Sequence, residues 1–298
     1  MDESQPAVCD YEGSPYQTAF WGEGDRAYED QVERIALRRL LPAQGKRALE
    51  IGAGFGRLTG ELAGFEQVVL LDYSRSMLRE ARQRLGGGPR YRYVAANVYR
   101  LPFAPGAFDA ATMIRVIHHM ADAPAALRQV RAALADGGAF VLEFANKRHL
   151  KSIVRFLLRR QDWNPFSREP VEFAPLNFDF HPAAMRAALR ASGFDVRRQL
   201  TVSHFRVALL KRLVPIGLLV KLDSLAQLTG DWWQYTPSVF VLARTPGAPG
   251  AINPALFRCP ACGSLDVEET DVAVNCPACG RRYPLREGIY DFKEPDLS

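Results

Sequence analysis

The chain has 298 residues, 48% of them hydrophobic and 24% charged, and a net charge of +5. These proportions suit a globular protein of one large domain, or one domain with an appendage. The polar start MDESQPAVCD lacks the basic and apolar regions of a secretory leader. The apolar run 213–220 is far shorter than the roughly 20 residues that span a bilayer, so a cytoplasmic protein is expected.

Residues 26–41 predict a first helix, since Val32, Ile35, Ala36 and Leu40 recur at helical spacing and Pro42 stops it. Residues 48–51 read as a buried strand ended by Gly52, and 57–62 as a helix. Strands are predicted at 68–71, 92–95, 108–114 and 139–144, with helices at 76–85 and 124–134. A helix over 181–192 has Gly193 as its stop, and strands at 195–202 and 238–243 close the series. This alternation predicts a mostly parallel sheet with helices on both faces. Segments 147–180 and 205–235 interrupt the pattern and read as insertions able to wall or cover a site.

A Pro- and Gly-rich stretch begins at Thr245 and reads as a linker. The expected division is a large domain over 1–245, a linker over 246–252 and a small unit over 253–298. The small unit carries five basic residues against eight acidic ones, a net −3, which leaves +8 on the large domain. Attraction to an anionic partner must therefore come from the large domain.

The chemistry-bearing signal is Glu50-Ile51-Gly52-Ala53-Gly54-Phe55-Gly56, placed between a strand and a helix. Glycines there let backbone turn tightly and approach a ligand closely. Asp72 lies twenty residues after Gly52 at the end of the next strand, where a carboxylate can accept bonds from two ribose hydroxyls. Position 57 is Arg, so the spacing is G-x-G-x-G and not the G-x-G-x-x-G of nicotinamide enzymes. With the preceding Glu50, this pattern resembles the class I S-adenosylmethionine (SAM)-dependent methyltransferases, over about residues 16–244. Asp72-Tyr73-Ser74-Arg75-Ser76-Met77-Leu78, Asn97-Val98 before Leu101-Pro102-Phe103, the strand from Phe108 to His119, and Asp136-Gly137-Gly138 are similar to further family segments.

The resemblance implies a Rossmann-like, seven-stranded, mostly parallel sheet. It implies SAM as cofactor, with Glu50 and Gly52 near its methionine part and Asp72 on the ribose. Tyr73, Asn97 and Val98 would face the adenine, and Gly54, Gly56, Met77 and Arg115 would also belong to the cofactor site. Asn97 stands where relatives usually carry Asp, yet its side-chain carbonyl can accept the same bond. A Rossmann-like domain with a decayed site is the alternative. In relatives an aromatic N-terminal segment closes over the cofactor. Here the segment carries Tyr16, Phe20, Trp21, Arg26 and Tyr28; either Trp21, Arg26 or Tyr28 closes over the cofactor, or the aromatics pack the first helix. Glu143 either faces the site or is a solvated strand end.

Methyl transfer needs a base only where the acceptor must lose a proton. His118 and His119 are the candidates, because imidazole titrates near neutrality. They serve otherwise as pocket walls or helix caps. The insertions interleave Lys147, Arg148, Lys151, Arg155, Arg159 and Arg160 with apolar residues, and Arg206, Lys211, Arg212 and Lys221 flank a second apolar stretch. A membrane-surface face, an RNA-binding face and an ordinary solvated helix all fit this pattern.

Cys259-Pro260-Ala261-Cys262-Gly263 and Cys276-Pro277-Ala278-Cys279-Gly280 form two knuckles thirteen residues apart. This is the spacing of a four-thiolate zinc site. Residues 256–293, ending in Tyr283-Pro284-Leu285-Arg286-Glu287-Gly288-Ile289-Tyr290-Asp291-Phe292, resemble the Trm112-like zinc ribbons. In that family a separate ribbon docks on methyltransferases of translation components and activates them. The resemblance implies a structural zinc and intramolecular docking. The functions left open are methylation of a small or lipid-like molecule, methylation of a translation component, and a non-catalytic SAM-binding or zinc-ribbon interaction protein. No Asn-Pro-Pro-Tyr-like tetrapeptide follows the fourth strand, which weighs against planar amide or base nitrogens as acceptors.

Overall fold

The computed structural model describes residues 6–13 and 26–297. Tyr16, Phe20 and Trp21 therefore lie outside the described residues. Helix α1 (Ala27–Leu40) buries Tyr28, Val32, Ala36, Leu37 and Leu40 along one stripe. Strand β1 (Gly45–Ile51) leads into the glycine turn. The helix expected over 57–62 is a single 3-10 turn, Thr59–Leu62. Gly60 sits inside that stretch and lowers its helix propensity.

Alternation then follows the expected order: β2 (Phe65–Asp72), α2 (Arg75–Leu85), β3 (Tyr91–Ala95), β4 (Phe108–Met113), α3 (Ala123–Ala133) and β5 (Leu134–Ala145). Ser74 and Asp122 cap α2 and α3, accepting the amides of Met77 and Ala125. Strand β5 starts five residues before the expected 139. Asp136, Gly137 and Gly138 form a bulge at its β4 edge rather than a turn between two elements.

The first insertion holds α4 (Leu150–Leu157) and a hairpin of β6 (Val171–Ala174) and β7 (Asn177–Asp179). Helix α5 (Pro182–Ala191) and β8 (Asp195–Val202) follow. The second insertion holds α6 (Ala208–Leu213) and α7 (Ile216–Ala226), before β9 (Ser238–Arg244) returns between β5 and β8. Helix α7 packs on α1, where Tyr28 donates to the wholly buried Asp223 at 2.6 Å. Tyr28 is thus a core residue of α1 and does not close over the cleft. Among the described residues, no helix is long and apolar enough to cross a membrane.

The sheet is not seven-stranded. Strands β3, β2, β1, β4, β5, β9 and β8 lie in that order, parallel from β3 to β5 and antiparallel thereafter. The C-terminal unit continues them with β13 (Ile289–Asp291), β12 (Arg281–Arg286), β11 (Ala273–Asn275) and β10 (Glu268–Glu269). Among the described residues the continuous path has eleven strands, and β14 (Asp296–Leu297) pairs off it with β12. Strand β13 pairs in parallel with β3, so the edge of the Rossmann-like sheet finds partners for its free N–H and C=O groups. The two units also share a core, because Phe257 stacks on Phe103 and packs against Tyr290 and Phe292.

Candidate active site

Strand β1 delivers Glu50 and the glycine turn to the C-terminal edge of the sheet. A Cβ at Gly52 would lie 2.1 Å from Val116 Cγ2, so only glycine fits without a shift. Gly54 has φ of +52°, and a Cβ built there meets no heavy atom within 4 Å. Its side-chain direction is open, as close backbone approach to a ligand requires. The Gly54 amide donates to Asp72 Oδ2 at 2.8 Å, and the Ser74 amide donates to Oδ1 at 2.9 Å. Asp72 thereby ties the glycine turn to the end of β2. Burial pushes its carboxyl above the usual carboxylate range, against these two amide bonds.

These elements wall a cleft of about 1050 Å³, including its open mouth. Glu50, Gly52, Gly54, Asp72, Tyr73, Met77, Val98, Arg115 and His119 all line it. Gly56, Asn97 and His118 do not. A Cβ on Gly56 would point at Leu85, 2.8 Å away. The Asn97 side-chain carbonyl accepts the Tyr99 amide at 2.9 Å and caps a 3-10 turn. His118 packs on His119 with ring centroids 4.1 Å apart. Burial, with the neighbouring His119 and Arg115, holds His118 well below the ordinary histidine range.

Glu50 accepts a 2.6 Å bond from the Thr59 hydroxyl, and burial pushes its carboxyl up to about 7. Arg115 has φ of 61°, and its amide donates to Glu143 at 2.9 Å while its guanidinium pairs with Glu33 at 3.1 Å. Glu143 is neither a solvated strand end nor a cleft residue. It is buried and takes a second bond from the Ser238 hydroxyl at 2.6 Å.

The described N-terminal segment crosses the cleft mouth and brings Val8, Cys9 and Tyr11 to its wall. Glu12 anchors it by accepting the amides of Arg75 and Ser76 at the start of α2, at 2.6 and 3.1 Å. An acid at a helix N-terminus is favoured electrostatically. Against the upward push of burial, those amides hold Glu12 below its ordinary value. No hydrophobic periodicity marks residues 6–13, so their part in the cleft was not legible in the sequence.

Tyr11 reaches His119, with its hydroxyl 3.1 Å from Nε2. His119 Nδ1 lies 3.0 Å from the Leu176 carbonyl on the β6–β7 hairpin. A carbonyl only accepts, so Nδ1 carries the proton and Nε2 accepts from Tyr11 in the neutral ring. Burial keeps His119 below its ordinary range. The Leu176 carbonyl opposes this and the Arg115 charge adds to it.

The C-terminal unit also reaches the residues around this cleft. Arg75 forms an ion pair with the buried Asp291 at 2.7 Å. Lys293 Nζ sits 3.8 Å from the Tyr73 ring centroid and 3.8 Å from Asp10. In that unit the thiols of Cys259, Cys262, Cys276 and Cys279 lie within 4.8 Å of one another. The Cys259–Cys279 and Cys262–Cys276 sulfur distances are both 3.6 Å. Tetrahedral zinc with bonds of about 2.3 Å would hold its sulfurs about 3.8 Å apart, so the four residues fit that ion.

The family described as a methyltransferase domain matches residues 49–142. An O-methyltransferase of Penicillium expansum is 29% identical over 151 residues, 47% of this chain and 55% of that protein. A demethylmenaquinone methyltransferase of Thermus thermophilus is 31% identical over 186 residues, 56% of this chain and 82% of that one. The chain spans about half the length of the first curated relatives it matches, 55% of the Penicillium protein and 47% of a Clavibacter sepedonicus demethylmenaquinone methyltransferase. Among solved structures, one chain of the complex between the Haloferax volcanii Trm112 methyltransferase activator and a methyltransferase aligns with a TM-score of 0.55 at 15% identity, covering 78% of this chain and 96% of that one. A SAM-dependent methyltransferase of Mesorhizobium loti aligns with a TM-score of 0.53 at 22% identity, covering 73% and 100%. At these identities the structural likeness shows the fold.

Proposed function

The chain belongs to the class I SAM-dependent methyltransferases, and on that premise we propose that it methylates a small or lipid-like acceptor at the cleft mouth beside Tyr11, His119 and Met120. The observation that carries this reading is the Tyr11–His119–Leu176 chain at that mouth. Bound SAM supplies a methyl group already activated for transfer to a nucleophile. The protein has to hold the acceptor in line with it and receive the acceptor's proton.

In this reading Asp72 accepts the ribose hydroxyls with the oxygen lone pairs its two amide bonds leave. Gly52 and Gly54 allow close backbone approach to the methionine part, and Glu50 faces its cationic end. Tyr73, Met77 and Val98 give the adenine an apolar slot. The acceptor's proton passes to the Tyr11 oxygen as Tyr11 hands its own proton to His119 Nε2. The Nδ1 proton stays on the ring, donated to the Leu176 carbonyl, and fixes the ring's orientation. SAM held there would supply the methyl group and keep the carbon–sulfur electron pair.

Support for a small or lipid-like acceptor comes from the apolar cleft-wall residues Val8, Ile114 and Met120 and from the relatives named as demethylmenaquinone methyltransferases. The fused four-cysteine unit favours a second reading, a translation component as acceptor. For either acceptor we propose that Cys259, Cys262, Cys276 and Cys279 hold a structural zinc. The unit spanning 253–298 then acts as a built-in ribbon that braces the cofactor loop through Asp291 and Lys293, after the linker 246–252. The deciding experiment is transfer of labelled methyl from SAM into fractionated lysate. Label in the organic-extractable fraction supports the first reading. Label removed by RNase or protease replaces it with the second.

A further inference from the structure

The two insertions present an apolar face that the site does not use. Leu157 is 70% exposed, Leu213 70%, Leu225 68% and Trp232 87%, values at which these side chains meet solvent, not core. The start of α4 lies against the segment that follows Trp232. The Leu150 amide at the start of α4 donates to the Tyr235 carbonyl, and the Trp233 ring lies 4.6 Å from that of Tyr235. Burial, and after it the nearby charges of Lys151, Arg155 and Arg206, holds His149 at the α4 N-terminus down to about 4. Arg206 leads into α6, so the second insertion lies within electrostatic reach of the first.

Charge among these leucines is mainly positive, with the exposed acids Asp162 and Asp231 at the margins. Exposed Arg155, Arg159, Arg160, Arg212 and Lys221 stand among the leucines. No acid occurs between residues 147 and 161, and the one between 206 and 230, Asp223, is wholly buried. Exposed leucines and tryptophans with cations beside them match the interfacial region of an anionic bilayer, where apolar groups enter the acyl boundary and cations meet headgroups. An RNA-binding face would have cations and stacking aromatics but no use for a row of exposed leucines. The first insertion also reaches the cleft, because its Leu176 carbonyl holds His119.

We propose that this face docks the protein on an anionic lipid bilayer, with the cleft mouth turned toward molecules dissolved in it. The docking stands on the surface alone, and only the entry of a lipid-like acceptor rests on the function proposed above.

The test is co-sedimentation of the full chain, without SAM or acceptor, with phosphatidylglycerol–phosphatidylcholine vesicles and with pure phosphatidylcholine vesicles. Preferential binding to the anionic vesicles is expected, weakening with salt and accompanied by a blue shift of tryptophan emission. Each cation near such a surface changes partitioning about fivefold, so Arg159→Gln with Arg160→Gln should lower binding by about 25-fold. Trp232→Ser should reduce the blue shift. All three positions are exposed, and circular dichroism checks that the variants stay folded. Protein left in the supernatant with anionic vesicles overturns the proposal. So does binding to single-stranded RNA in place of vesicles, or self-association that these same substitutions dissolve. Vesicle binding without methyl transfer to any lipid-soluble compound would sink the acceptor reading and leave the docking. Methyl transfer to a detergent-dispersed acceptor without vesicle binding would do the reverse.

Discussion

The Tyr11 hydroxyl lies 3.1 Å from His119 Nε2, although 108 residues separate the two in sequence. This contact joins the N-terminal segment to the 3-10 turn Ile117–His119 after β4 and gives the cleft wall a hydroxyl backed by a neutral imidazole. If the pair receives the acceptor's proton, His119→Ala should lower kcat by roughly 10²- to 10⁴-fold. Tyr11→Phe should act in the same direction, and SAM affinity should change little in either. The active form is the neutral ring, and burial places its pKa below the ordinary 6.5. Activity should therefore rise with pH through a limb below 6.5 and stay flat above it. A pH–rate profile unchanged in His119→Gln would remove the histidine from the chemistry.

Asp72 joins two amide bonds to the position expected for the ribose. Hydrogen bonds to a charged group are worth about 1.5–3 kcal/mol, so Asp72→Ala should raise the SAM dissociation constant by about 10- to 150-fold. Isothermal calorimetry reads this directly, and wild-type affinity in the variant would refute the assignment.

Glu50 makes SAM binding depend on pH. Burial raises its carboxyl from 4.5 to about 7, and a cation bound beside it favours the ionised form. Binding should release a proton near neutrality, and affinity should fall as pH drops below about 7. Without SAM the sign for stability is the opposite. The folded-state value is the raised one, so this contribution is fully present below 4.5 and is lost as pH rises through about 7. Glu50→Gln should flatten both trends, as followed by calorimetric titration and by the apoprotein's Tm across this range.

The four thiols predict about one zinc per chain by elemental analysis. Because Asp291 and Lys293 touch Arg75 and Tyr73, stripping the metal should weaken SAM binding as well as unfold the tail. Lys293→Ala should weaken SAM binding modestly with zinc retained. Metal-free protein with a folded tail and unchanged SAM affinity would contradict both expectations.

Gly52 gives a packing test. A Cβ there lies 2.1 Å from Val116 Cγ2, and φ is +67°. Gly52→Ala should cost stability and SAM affinity. Adding Val116→Ala should recover only the part due to the clash, since left-handed strain of about 1–2 kcal/mol remains. Full recovery in a thermal melt would show that backbone strain is negligible at this turn.

What was legible in the sequence was local. Glu50, the glycine turn and Asp72 could be read because a ligand loop between a buried strand and a helix needs particular residue types at short spacing. The paired knuckles at Cys259 and Cys276 could be read for the same reason. Asn97 shows the limit of that reading. Its position matched a motif, but its side-chain carbonyl accepts the Tyr99 amide and the residue is not among those lining the cleft, a local capping role that residue type alone does not reveal. The 3-10 turn at Thr59–Leu62 and the bulge at Gly137 show it for secondary structure, because glycine weakens a helix or bends a strand according to its surroundings.

By itself, then, the sequence determined the alternating α/β order, the ligand turn and the four-thiol cluster, since periodicity and short-range spacing are properties of neighbouring residues. Only the tertiary structure decided that β13 would join β3 and lengthen the sheet to eleven strands, that Tyr28 would serve the core, and that Tyr11 would meet His119. Each of those depends on which backbone edge or side chain lies unpartnered beside a segment far away in the chain, and that is fixed only when the whole chain packs.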